Sequence, residues 1–165
     1  MKRLTIGTRA CTEILALLVH VAWADGQLAD DEKSGVRAAA TVLNLTKEQR
    51  ARLEDLLAAP VGLDDIIVES LSAHERAYAF VAATWMTGVD AEVHDKEKGA
   101  LDHIADRFNL DAARRGELSA IARDLLHLHK GKKEWAHDLV TLFKSIPKRL
   151  DASDHEELEV AFEDE

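Results

Sequence analysis

The sequence predicts an all-α, single-domain helical bundle of about seven or eight helices. Three observations point there. Apolar residues recur at helical spacing along most of the chain, and no run is read as strand-like alternation. Only two prolines interrupt 165 residues. The third observation is an internal duplication. A shift of 65 positions, without a gap, carries Asp25 to Asp90, Leu28 to Val93, Glu32 to Glu97 and Lys33 to Lys98. It also carries Val36 to Leu101, Asn44-Leu45 to Asn109-Leu110, Arg50 to Arg115 and Leu53 to Leu118. Each copy reads as helix, acidic turn, helix, helix. Repeat 1 covers about 8–58 and repeat 2 about 73–129, followed by a C-terminal helical extension over 130–165.

Taken in order, the first helix covers about Thr8 to Ala24, with Ile14, Leu17, Leu18 and Val21 on one stripe. Leu15, Val19 and Ala22 fill its other sides, so it belongs in the middle of a bundle. Asp25-Gly26 ends it. A second helix follows from about Asp30 to Leu43 and buries Val36, Ala39, Ala40 and Leu43. Its acids cluster in the first turn, where they favour the helix dipole. After a break at Asn44-Leu45, Thr46 and Gln49 form a capping box for a third helix, which turns Leu53, Leu56 and Leu57 inward. Pro60 and Gly62 stop it, and Asp64 to Leu71 reads as a short connecting helix.

Ser72 and Glu75 form the capping box of the second central helix, whose stripe is Tyr78, Val81, Ala82 and Trp85. Asp95 to Phe108 and Asp111 to His129 repeat the second and third helices. Beyond them, Glu134 to Ser145 is amphipathic through Leu139, Leu142 and Phe143, with Pro147 after it. Ser153 and Glu156 resemble a capping box, and Leu158, Ala161 and Phe162 share a helical face, so a short docked helix is expected at the end.

Charge and composition exclude several function classes. The formal net charge is -10, and Asp151 to Glu165 holds eight acids without a Lys or Arg. The remainder balances 21 basic against 23 acidic residues and offers no large basic stripe. Nucleic acid and an anionic membrane are therefore not expected partners. Cys11 is the sole cysteine, which forbids an internal disulfide and suits a reducing, cytoplasmic setting. Lys2, Arg3 and Arg9, an apolar run and Ala22-Trp23-Ala24 imitate a secretory signal. Glu13 at the head of that run, His20 inside it, and its alignment with Glu75 to Met86 favour a helix of the folded protein instead. No run reaches the ~18 apolar residues of a membrane span.

The acidic turns carry the candidate chemistry. Asp25, Gly26, Leu28 and Glu32 reproduce the spacing of the closing half of a calcium-binding EF-hand loop. The opening ligand positions fall on Val21 and Trp23, or on Met86 and Gly88 in the second copy, and these supply no side-chain oxygen. Each turn thus offers about two strong ligands, where a hard cation wants six or more. If the turns of two packed repeats lie side by side, Asp25, Glu32, Asp90 and Glu97 converge as metal ligands. His94 adds a nitrogen that suits a transition metal. The alternative is purely structural. Asp25 and Asp90 then accept backbone N–H bonds in Asx-turns, and Glu32 and Glu97 cap the helices they open.

The run Ala24-Asp25-Gly26, the charged stretch ending Asp31-Glu32-Lys33, Ser34-Gly35-Val36-Arg37, and the break at Asn44-Leu45 resemble the tellurite-resistance TerB-like family. So does the pair of Asp-x6-Glu turns, over about Thr8 to His129. The resemblance implies an all-helical, non-enzymatic cytoplasmic protein of stress-response assemblies, holding a divalent cation on acidic turns. It carries the metal role to Asp25, Glu32, Asp90 and Glu97, with Ala91 departing from the family's glycine.

Other constellations are weak. His127 and His129 point apart on a helix. His20 and Cys11 read as core. No phosphate loop or nucleophile–base pair can be assembled, so no enzymatic activity is expected. The expected function is divalent-cation binding, with Ca²⁺ leading. The alternative is a protein–protein adaptor whose acidic turns are caps and whose acidic tail, Asp151 to Glu165, binds a protein partner. On that reading, deleting the tail leaves the body folded.

Overall fold

A computed structural model describes residues 2–23, 30–59, 62, 66, 68–88, 95–125, 135–151 and 158–163. Strand β1 (Lys2–Gly7) leads into α1 (Thr8–Ala22), followed by α2 (Asp30–Val42) and α3 (Lys47–Ala58). After a single 3-10 turn at Val68–Ser70 come α4 (Ala73–Gly88), α5 (Asp95–Arg107), α6 (Ala112–Asp124), α7 (Trp135–Asp151) and β2 (Leu158–Glu163). The predicted all-α class holds, with seven α-helices among the described residues. No helix among them is long and apolar enough to cross a membrane.

The core follows the predicted stripes. Cys11 and Ile14 to Val19 are all buried, as an all-round apolar helix requires. α1 packs on α4, and these two helices form the centre. α3 flanks α1 as α6 flanks α4. Trp85 of α4 is fully buried and its Nε1 donates to the Leu125 carbonyl at 3.0 Å, tying α4 to the end of α6. Cys11 is a thiol, fully buried as a small side chain of the core.

The duplication extends to single hydrogen bonds. Asn44 and Asn109 both take positive φ, 64° and 57°. Each ends its helix in a Schellman motif. Asn44 N–H donates to Thr41 O at 3.2 Å and Leu45 N–H to Ala40 O at 3.1 Å. The second copy has Asn109 to Asp106 O at 3.1 Å and Leu110 to Ala105 O at 3.0 Å. The next helix then opens on a side-chain cap, Thr46 accepting from Gln49 N–H and Asp111 accepting from Arg114 N–H. Asparagine tolerates the left-handed region where a β-branched residue does not. Asn109→Val is therefore expected to cost about 1–2 kcal/mol in urea unfolding, and Asn109→Gly less than about 0.5 kcal/mol. A Val variant as stable as wild type would refute the account.

Three expectations are corrected. The stretch 64–71 shows a 3-10 turn at Val68–Ser70 and no α-helix among its described residues. α7 does not stop before Pro147 but runs through it to Asp151. Pro147 is buried and lines a small apolar pocket with Ile6, Ile14, Tyr78 and Phe143, and the packing of α7 on α2 and α4 offsets the ~3 kcal/mol that proline costs inside a helix.

The third correction concerns the chain ends. The expected C-terminal helix is strand β2, paired in parallel with β1, with Ile6 opposite Phe162 and Leu4 opposite Val160. Leu158, Val160 and Phe162 fall at period two, so the strand reading fits the same apolar residues as the helical one. Ile6 and Phe162 are both buried, and Asn44 Nδ2 donates to the Phe162 carbonyl at 2.8 Å. Pairing with β1 supplies the backbone partners that a short, acid-rich helix has to make alone. α7 packs on α2 and α4, so the extension covers the first repeat and breaks the pseudo-twofold relation.

Candidate functional site

In chain order the two acidic stretches fall at equivalent points, after α1 and after α4. One lies between Ala22 and Asp30, the other between Gly88 and Asp95. Glu32 stands in the first turn of α2, half-buried and engaged in a polar contact. Glu97 stands in the first turn of α5, and its side chain is outside the described set. Asp25, Asp90 and His94 lie outside the described residues, as do Gly26, Ala91, His127 and His129. Trp23 caps α1, and the Lys33 ammonium sits 5.9 Å from its ring centroid, linking the end of α1 to the start of α2. Among the described residues, no group of three or more His, Cys, Asp or Glu converges as a metal cluster would. His103 is exposed on α5.

A second feature arises where α2 meets α3. Val36, Ala40, Leu53 and Leu57 floor a cavity of about 290 Å³ that opens to solvent. Arg37, Lys47, Arg50 and Glu54 stand around it. Arg37 Nε donates to Glu54 Oε1 at 2.7 Å and its Nη2 to Oε2 at 3.1 Å. The hydrogen bond to Glu54, then its charge, raises the Arg37 pKa above the usual value; burial opposes the shift slightly and Asp30 adds to it. Half-exposed on both sides, this fork contributes little stability, but it holds the guanidinium across the rim. Lys47 and Arg50 are exposed, and their side chains have no ion-pair partner among the described residues.

The second repeat resolves the same place differently. Its counterparts of Arg37, Lys47, Arg50 and Glu54 are Asp102, Ala112, Arg115 and Ser119. Arg115 donates to Asp102 and lies 5.9 Å from the ring centroid of Phe80. The counterpart of Phe80 is Leu15, which is smaller and offers no ring face. One cation facing one carboxylate thus becomes three cations facing one carboxylate. The sequence reading passed over this groove, although laying Arg37 on Asp102 at the 65-residue shift exposes the reversal.

A family model described as "Protein of unknown function (DUF533)" matches residues 7–122. The chain belongs to this family. The DUF533 match runs from the start of α1 into α6 and includes both acidic turns and the α2–α3 groove. It leaves out α7, β2 and all of β1 but Gly7; α7 packs on α2 and α4 of the matched body, and Asn44 of that body donates to the Phe162 carbonyl of β2. Comparison with curated proteins gives no match. Comparison with solved structures gives none either.

Proposed function

We propose that this DUF533 protein is a non-enzymatic, cytoplasmic divalent-cation-binding module of the TerB-like, stress-resistance type. Its ligands are Asp25, Glu32, Asp90 and Glu97, and Ca²⁺ is the leading ion. The supporting observation is the repetition. α1 and α4 pack together, α2 and α5 begin at positions related by the same 65-residue shift, and an Asp-x6-Glu runs in each copy from the connection into the first turn of the helix that follows. An acid pair kept twice at one place in the fold suits a shared cation, which offsets carboxylate repulsion.

With so few strong ligands per turn, the dissociation constant is expected on the order of 10⁻⁴ to 10⁻³ M. Ion at a hundredfold excess over that constant then stabilises the fold by ~2.7 kcal/mol. Asp25→Asn with Asp90→Asn abolishes that gain, whereas structural caps tolerate the change because Asn also makes Asx-turns. Thermal melts of both proteins in EDTA and in millimolar Ca²⁺, Mg²⁺, Mn²⁺ or Zn²⁺ distinguish the two. A wild-type midpoint that no ion raises would sink the cation reading. A hydrolase screen with Mn²⁺ or Zn²⁺ checks the absence of catalysis, and turnover lost in His94→Ala would overturn it.

A further inference from the structure

Independently of the cation reading, we propose that the α2–α3 groove is a docking site for an acidic peptide segment of a partner protein. An apolar anchor side chain enters between Val36 and Leu57, and the peptide's carboxylates face Lys47, Arg50 and Arg37.

Charge complementarity selects the occupant. The chain carries a net charge of -10, yet this rim sets three cations against the single carboxylate of Glu54, which the Arg37 fork already engages. Lys47 and Arg50 lie three positions apart on α3, so they project side by side along one wall of the groove. Arg37 stands on the opposite wall, on α2. Cations on two walls above an apolar floor fit an amphipathic acidic segment, which places anchors at helical spacing and charges on both flanks. Three cations on an otherwise balanced body are too few for a nucleic-acid track.

The second repeat acts as an internal control. Its Arg115 is neutralised by Asp102 and packed beside Phe80, so the groove is not a consequence of the repeat architecture. Arg37 replaces the neutralising acid, Leu15 replaces the ring, and Lys47 is added at an exposed position. Glu54, where the second repeat has Ser119, adds one carboxylate back, yet the four positions still go from one cation and one acid to three cations and one acid, which favours an anion in the first groove.

The probe is a fluorescein-labelled synthetic helix rich in Glu, with two Leu at i and i+4, followed by fluorescence anisotropy and by amide shift mapping on the full chain. Saturable binding is expected, with shifts confined to α2 and α3 and absent from α5 and α6. Lys47→Glu with Arg50→Glu is expected to weaken binding about tenfold or more. The melting temperature should stay unchanged, because both side chains are exposed. Ala51→Trp, at an exposed position lining the groove, is expected to block the peptide while leaving the fold intact. The proposal is overturned by absent binding, by affinity indifferent to the charge reversal, or by equal binding of a Lys-for-Glu peptide. Shifts in α2 and α3 produced by octanoate but not by the peptide would reassign the groove to a small carboxylate. Self-association lost on charge reversal, without peptide binding, would reassign it to a second copy of this chain.

Discussion

Deleting residues 152–165 is expected to destabilise the fold by about 3–5 kcal/mol, lowering the melting temperature by about 10 °C. The deletion removes β2 and with it every ladder bond that β1 makes. It also removes Phe162, buried opposite Ile6, and the acceptor for Asn44 Nδ2. Burial of Phe162 is the larger contribution, since truncating a core phenylalanine to alanine costs about 3–5 kcal/mol. Phe162→Ala alone should therefore reproduce most of the loss. Asn44→Ala should cost less, by the backbone cap and one hydrogen bond. The parallel ladder joins the two ends of the chain, so it forms only after the whole bundle has brought them together. Hydrogen exchange should accordingly show β1 protected in the full chain and unprotected in the truncated one. A truncated chain that melts with the wild type would return the tail to the dispensable role the sequence suggested.

Helix existence was legible because helical signals are local. The capping boxes at Thr46 and Ser72 were visible as residue types three positions apart, and both form as read. The breaks at Asn44 and Asn109 were visible through the duplication, and both asparagines take the left-handed conformation. β2 was not legible, because Leu158, Ala161 and Phe162 satisfy a helical face while Leu158, Val160 and Phe162 satisfy a strand. The deciding partner, β1, lies more than 150 positions away in sequence. Pro147 misled for a related reason. A proline stop is a local rule, and the packing of α7 on α2 and α4 that overrides it is tertiary.

The candidate sites divide in the same way. The acidic turns announce themselves through one residue type at one spacing, repeated at the same shift. The α2–α3 groove has no such motif. Its floor is ordinary core, and its cations read as a solvated helix face until α2 is laid against α3. Only a comparison of the repeats by difference shows that Arg37 stands where an acid neutralises Arg115.

Arg52→Ala is expected to cost about 3 kcal/mol, the second-largest effect of a single change here. The Glu13 side chain is 3% exposed and accepts a hydrogen bond from Arg52 Nη1, which reaches it from α3. Removing the guanidinium leaves a buried carboxylate short of its cationic donor, and that desolvation penalty dominates the loss. Arg52 is 30% exposed, so the expected cost falls at the lower end of the range for broken buried pairs. The second repeat shows that the place does not require charge, because Glu13 corresponds to Tyr78, itself buried. Glu13→Met with Arg52→Leu should consequently stay within about 1 kcal/mol of wild type, although Arg52→Ala alone does not. The discriminating measurement is a double-mutant cycle in urea with Glu13→Gln. Coupling above about 1 kcal/mol is expected, because Arg52→Ala loses most of its cost once residue 13 carries no charge. Equal costs of Arg52→Ala with Glu and with Gln at position 13 would show that Arg52 acts through packing of its aliphatic stem rather than through the ion pair.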